Sequence, residues 1–145
     1  MKTSFYLLAF FGLFSIASCT KQGQLTPQER RLIGTWSYTK VKFFERGKLS
    51  SDNLTNEYSD TKLTFKEDFT AMLIEEETDE MYEGVWDIVT NHTGETATNS
   101  LFVSLSSSFA GEVKQVIIQD ICLNNKRLTG NYRSNDGVYN YVLEK

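Results

Sequence analysis

Proline and histidine each occur once in the 145 residues, and cysteine twice. One Pro with 9 Gly is too few for a collagen-like or a Pro/Gly-rich disordered chain. One His and two Cys leave little material for a transition-metal site. No basic block occurs: 15 Lys and Arg stand against 19 Asp and Glu, for a net charge of −4. Nucleic acid needs clustered Lys and Arg to displace its counterions, so it is excluded as a partner. There is no Gly-rich phosphate loop and no nucleophile elbow, and no cofactor is expected. A 40% hydrophobic content at this length makes one domain.

The longest apolar stretch is Phe5 to Phe14. A bilayer-spanning helix takes about 20 apolar residues, so this run is too short to cross. It follows the single charge of Lys2 and precedes Ile16-Ala17-Ser18-Cys19. A charged start, an apolar middle and small residues at the end make an export signal. With Cys placed directly after the small residue, the segment resembles the lipobox of bacterial lipoproteins. That resemblance implies cleavage after residue 18, a diacylglycerol thioether on Cys19 and a fatty acyl group such as palmitate on the new terminus. Several acyl chains on one terminus anchor a protein stably to a membrane. Thr20 stands where an Asp would signal inner-membrane retention, so the implied place is the outer membrane, on its periplasmic or outer face. Residues 19–25 read as a tether and 26–145 as the folded domain. If Cys19 carries lipid, Cys122 has no disulfide partner. Its place between Ile121 and Leu123 predicts a buried thiol.

The domain reads as short strands and tight turns. Thr26-Pro27-Gln28-Glu29 is a capping box with Pro at the first helical position, and Gly34 stops the helix after two turns. Alternation then predicts a strand over Gly34–Phe44 with Trp36, Tyr38, Lys40 and Lys42 on one side. Residues 48–60 are polar and read as loop with at most a weak strand. Further strands are expected over Thr61–Phe65, Phe69–Glu76, Glu80–Thr90 and Asn99–Ser106. Gly84 inside the third of these suggests a bulge or sharp bend. Glu112–Leu123 reads as a strand through Val116-Ile117-Ile118, although helical spacing also fits it. Asn124-Asn125 and Asp136-Gly137 are hairpin turns, flanking a face of Leu128, Gly130 and Tyr132 and followed by one of Tyr139, Tyr141 and Leu143. About eight strands with no βαβ crossover predict an all-β, antiparallel, up-and-down barrel with a short N-terminal helix.

The helix followed by Ile33-Gly34-Thr35-Trp36 resembles the opening of lipocalin-like domains, in which such a Trp packs at the closed end of the barrel. Gly84-Val85-Trp86, the Leu101/Val103 strand, the Ile-rich strand and Leu128 after the Asn-Asn turn extend the likeness to the lipocalin-like lipoproteins of the Bacteroidetes type. It covers roughly residues 30–145. It implies barrel closure at Gly34 and Trp36. The lipocalin Thr-Asp-Tyr element is missing, and Arg133 is the candidate for the arginine that covers the Trp. Aromatic residues sharing faces, Phe65, Trp86, Phe102, Tyr132, Tyr139 and Tyr141, either fill the core or line a ligand cup, since eight strands leave room for side chains or one small ligand.

The acidic run Glu75 to Glu83 reads as a solvated hairpin tip, and His92 as an exposed residue of a turn over Asn91–Gly94. Neither has the partners that catalysis or metal binding needs, and no enzyme is expected. Two readings of function follow. One is an envelope lipoprotein whose barrel binds a small apolar or glycan-derived ligand. The other is a filled barrel serving as the interaction subunit of an envelope protein complex. A partly apolar interior cavity would favour the first, and a solid interior with an exposed apolar patch the second.

Overall fold

The computed structural model describes residues 24–107 and 111–145. The signal segment, Cys19 and most of the tether lie outside the described residues. Helix α1 (Pro27–Leu32) opens the domain. The Glu29 amide donates to Thr26 Oγ1 at 3.2 Å, and the Thr26 amide donates to Glu29 Oε2 at 2.7 Å, completing the capping box. The chain leaves the helix through Gly34 at φ +126°, a conformation that a side chain would strain.

The strands are β1 (Gly34–Glu45), β2 (Asp52–Asn53), β3 (Thr61–Phe65), β4 (Thr70–Glu75), β5 (Glu80–Thr93), β6 (Thr96–Ser107), β7 (Val113–Leu123), β8 (Arg127–Arg133) and β9 (Gly137–Glu144), with a one-turn helix α2 (Thr55–Tyr58) after β2. Every neighbouring pair is antiparallel, and β1 pairs with β9 from Ser37↔Glu144 to Glu45↔Gly137. Apart from the two-residue β2, the strands therefore close into an eight-stranded, up-and-down, all-β barrel. Closure removes the free edges of an open sheet along most of its length.

Inward residues alternate along each strand, as the two-residue period requires. Leu63 and Phe65, Ala71 and Leu73, Tyr82 and Trp86, and Leu101, Val103 and Leu105 are all buried. Three details correct the sequence-based expectation. First, the register of β1 against β9 shifts between Tyr38 and Lys40. The extra residue turns Lys40 outward and brings Val41 and Phe43 in after Trp36 and Tyr38, so the lysines stay in water. Second, Gly84 makes no bulge: β5 stays in register with β4 and β6 on both sides. Glycine is needed there because a Cβ would stand 1.8 Å from the Ser104 carbonyl oxygen. Third, Asp120 takes φ +51° within a register break between Gln119 and Cys122. Ile118 and Ile121 both point inward across that break, and Cys122 is exposed, not buried. The stretch 48–60 contains β2 and α2 rather than loop alone, and β5 runs through His92 to Thr93 before turning.

Candidate functional site

The two ends of the barrel differ. At the α1 end Trp36 is fully buried and its Nε1 donates to the Leu32 carbonyl at 2.7 Å. The Lys145 ammonium stands 4.8 Å from the centre of the Trp36 ring and donates to the carbonyls of Arg31 at 2.8 Å and Ile33 at 2.6 Å. Lys145 thus takes the covering position expected of Arg133, whose guanidinium lies instead 3.7 Å from Asp120. Trp86 is likewise buried, its Nε1 donating to the Lys66 carbonyl at 3.1 Å, with Phe65 edge-on at 5.7 Å and Phe69 at 5.0 Å. These rings fill the core, so Phe65 and Trp86 line no cup.

The opposite end carries a cavity of about 220 Å³. Its walls are Tyr38, Tyr58, Tyr132, Tyr141 and Val116, with Gln115 and Ile117 of β7 along one side. Local structure places each ring. Tyr38 precedes the β1 register shift, so it stays inward, and Tyr141 faces Val41 across the β1–β9 ladder. Tyr132 and Tyr139 are direct cross-strand partners on β8 and β9. Tyr58 closes α2, which is pinned to β1 by the Leu54 amide on the Val41 carbonyl at 2.9 Å and by the Val41 amide on Thr55 Oγ1 at 3.0 Å. Ring centres lie 5.2 Å apart for Tyr38 and Tyr58, and 5.9 Å apart for Tyr38 and Tyr141. Tyr139 stacks on Tyr141 from behind at 6.1 Å and packs on Phe43 at 4.6 Å, outside the cavity wall.

Among the described residues, no charged side chain lines this cavity. Burial, and then the neighbouring phenols, push the Tyr38 and Tyr141 hydroxyls well above the ordinary phenol value. Tyr58 is raised chiefly by burial, against an opposing hydrogen bond with Tyr141. The phenols are therefore neutral donors and acceptors throughout the physiological range. A charged cluster lies around Tyr82. There the Tyr82 hydroxyl donates to Glu80 at 2.8 Å, and the Lys114 ammonium sits 4.2 Å over the Tyr82 ring and pairs with Glu75 at 2.5 Å. Burial alone would lower Lys114, but hydrogen bonds with Glu75 and Tyr82 outweigh it and keep the amine protonated. Such a lysine is no nucleophile.

Of the aromatics singled out by sequence, Tyr132 and Tyr141 reach the cavity and Tyr139 supports it. Phe102 does not: it lies on the outer face, 39% exposed, because Leu101 and Val103 on either side of it point inward. There it borders a shallow groove of about 200 Å³ with Val85 and Ile117. Tyr38 and Tyr58 are walls that the sequence reading did not select. The alternation with Trp36 signals Tyr38, whereas nothing in the polar stretch around Tyr58 signals its position. A larger cleft of about 510 Å³ lies against α1, where Glu29 and Arg31 join Phe69, Ile88 and Leu123 in its wall. His92 is exposed, the acidic run caps the β4–β5 hairpin, and no group of three or more potential metal ligands occurs among the described residues. No protein-family model, curated protein or solved structure matches the chain.

Proposed function

We propose that this is a lipid-anchored envelope lipoprotein whose barrel holds one neutral ring of a small apolar or glycan-derived ligand against Tyr38, Tyr58, Tyr132 and Tyr141. The observation that carries the reading is the uncharged, tyrosine-walled cavity of about 220 Å³ at the end away from α1. Size decides the ligand class. Pockets for drug-sized molecules span about 300–1,000 Å³, whereas a cavity of about 150 Å³ takes benzene. One ring fits and a folded fatty acid does not. Phenols offer an apolar face and a polar tip together, which suits a ring that is apolar on its face and hydroxylated at its edge. The reading includes no catalytic step. The anchor is Cys19, supported by the order of Lys2, the Phe5–Phe14 run and Ala17-Ser18-Cys19.

Native mass spectrometry of the full protein, extracted in detergent from its own envelope, tests the ligand. A small neutral adduct, lost in Tyr141→Ala, is expected; repeated isolation without any adduct would contradict the reading. Metabolic labelling with palmitate tests the anchor: wild type should be labelled and Cys19→Ala should not.

The interaction-subunit reading has its own observation. Val85, Phe102 and Val113 stand 59%, 39% and 68% exposed on the outer face of β5–β7, around Ile117. Exposed apolar groups that cluster mark contact surfaces. Crosslinking from Phe102 to one envelope protein in whole cells would support it.

A further inference from the structure

β7 has two halves with different neighbours. Val113 to Ile118 pair with β6, from Val113↔Ser106 to Ile118↔Leu101. Pairing with β8 begins only at Gln119↔Asn131, next to the Asp120 kink. Among the described residues, the β8-facing edge of 113–118 therefore has no ladder partner.

The direction of the main-chain groups follows from the ladder. The Ser107 amide donates to the Glu112 carbonyl at 2.9 Å. In an antiparallel ladder alternate residues bond to alternate sides, so Lys114 and Val116 turn their amides and carbonyls to β6, and Val113, Gln115 and Ile117 turn theirs to the open side. The lining of the cavity is consistent with this alternation. Gln115 and Ile117 line it, yet both also border the groove on the outer face of the barrel. Val116 and Ile118 share the inner face with buried Val103 and Leu101, so the side chains of Gln115 and Ile117 point outward and what they present to the cavity is main chain. The cavity is thus a seam in the barrel wall, with an unpaired strand edge on one side and tyrosine rings on the others.

Among the described residues the edge itself carries no Pro and no outward Lys, and the register break between Gln119 and Cys122 adjoins it. Open edges are normally blunted by Pro, by outward Lys or by a covering element. Here the residues along the edge are Val113, Gln115 and Ile117, and the one lysine, Lys114, is turned to Glu75. Six residues are the length of an ordinary strand.

The geometry points to strand addition: an extended, uncharged segment of another polypeptide pairs its main chain with Val113, Gln115 and Ile117 and seats one aromatic side chain among Tyr38, Tyr58, Tyr132 and Tyr141. Main-chain bonds supply the affinity in this mode, and the pocket for one side chain supplies the choice. A second copy of this chain fits less well. Paired edge to edge, it would offer Lys114, Val116 and Ile118 to the cavity, and none of these is a ring. The inference rests on the cavity reading above for the ring, but not for the strand.

The test uses the full-length protein in detergent micelles and blocked eight-residue peptides of alternating threonine and serine with one central tyrosine. Hydrogen exchange at the Val113, Gln115 and Ile117 amides should slow by about tenfold or more at saturating peptide. A peptide N-methylated on its β7-facing main chain should give no slowing. Replacing the central tyrosine by lysine or glutamate should weaken binding by about tenfold or more, because a charge would enter an uncharged cavity. Unchanged exchange at these amides, or equal binding by the N-methylated peptide, would overturn strand addition. Free p-cresol separates the two ideas. If it moves the Tyr132 and Tyr141 resonances while the peptide leaves Gln115 and Ile117 unprotected, strand addition fails and the cavity reading stands. If the peptide protects them and p-cresol moves nothing, strand addition stands and the cavity as a free-ligand site fails.

Discussion

At the α1 end, two tryptophans bond their N–H groups to main-chain carbonyls and are shut away from solvent. At the other end, tyrosines of similar bulk keep part of their rings on a cavity. The difference is one of closure. The first end has a capped helix laid across it and Lys145 bonded to the carbonyls where that helix ends. The second has only the single turn of α2, and β7 leaves β8 before the strands run out. Aromatic residues covered on every side become core, and aromatic residues left at a gap in the ladder become a site. Changes at the two ends should therefore be read by different measurements.

The largest effect belongs to Trp36. Truncating a buried Trp to Ala costs about 3–5 kcal/mol, a large share of the about 5–15 kcal/mol typical of a domain. Trp36→Ala should move the denaturation midpoint steeply, and Trp36→Phe much less. An unchanged midpoint would remove Trp36 from the core and erase the contrast between the ends.

Tyr141 should show the opposite balance. It is only partly buried, so Tyr141→Ala should cost less, about 1–3 kcal/mol, while abolishing retention of a ring ligand. Tyr141→Phe keeps the ring and removes only the hydroxyl, for about 0.5–1.5 kcal/mol. If Tyr141→Ala destabilised the fold as much as Trp36→Ala did, both ends would be core.

High pH sharpens the same comparison. The Tyr38 and Tyr141 hydroxyls are raised above the ordinary phenol value of 10.0 in the fold. A raised phenol favours folding while it stays protonated. Its contribution is whole below pH 10 and declines as pH climbs from there toward the folded value. Phenolate absorbance should therefore reveal late-titrating tyrosines, Tyr38 and Tyr141 latest among them, with stability falling above pH 10. If every tyrosine ionised together near pH 10, the buried cluster would be refuted.

The smallest effect concerns Lys145. Its bonds to the carbonyls at the end of α1 resemble a cation at a helix C-terminus, worth about 0.3–1 kcal/mol near the surface. Lys145→Met should lower stability by that much and leave the tyrosine end unaffected, as aromatic resonances would record.

Much of this was legible in the sequence. Alternation, turn residues and the absence of crossover helices specify an antiparallel barrel, and Gly34 and Trp36 mark its closed end. Lys40 and Cys122 depart from the expected phase for one reason. Phase was read by counting along the chain, and two irregularities reset the count. The Tyr38/Lys40 shift exchanges Lys40 for Val41, and the Gln119/Cys122 break exchanges Cys122 for Ile121. Both depend on partners far away in sequence. At Phe102 β6 is apolar on both faces, so composition alone does not choose the inner one. The cavity was half visible, through Tyr132 and Tyr141. Its other half, Tyr58 and the bare edge of β7, exists only after the chain has closed.

One titration tests the central contrast directly. With the full-length protein in micelles, p-cresol should shift the ring resonances of Tyr38, Tyr58, Tyr132 and Tyr141 together, saturably, and leave the indole signals of Trp36 and Trp86 in place. Shifts at the indoles with the tyrosines unmoved, or no saturable shift anywhere, would contradict the assignment of the core to one end and the site to the other.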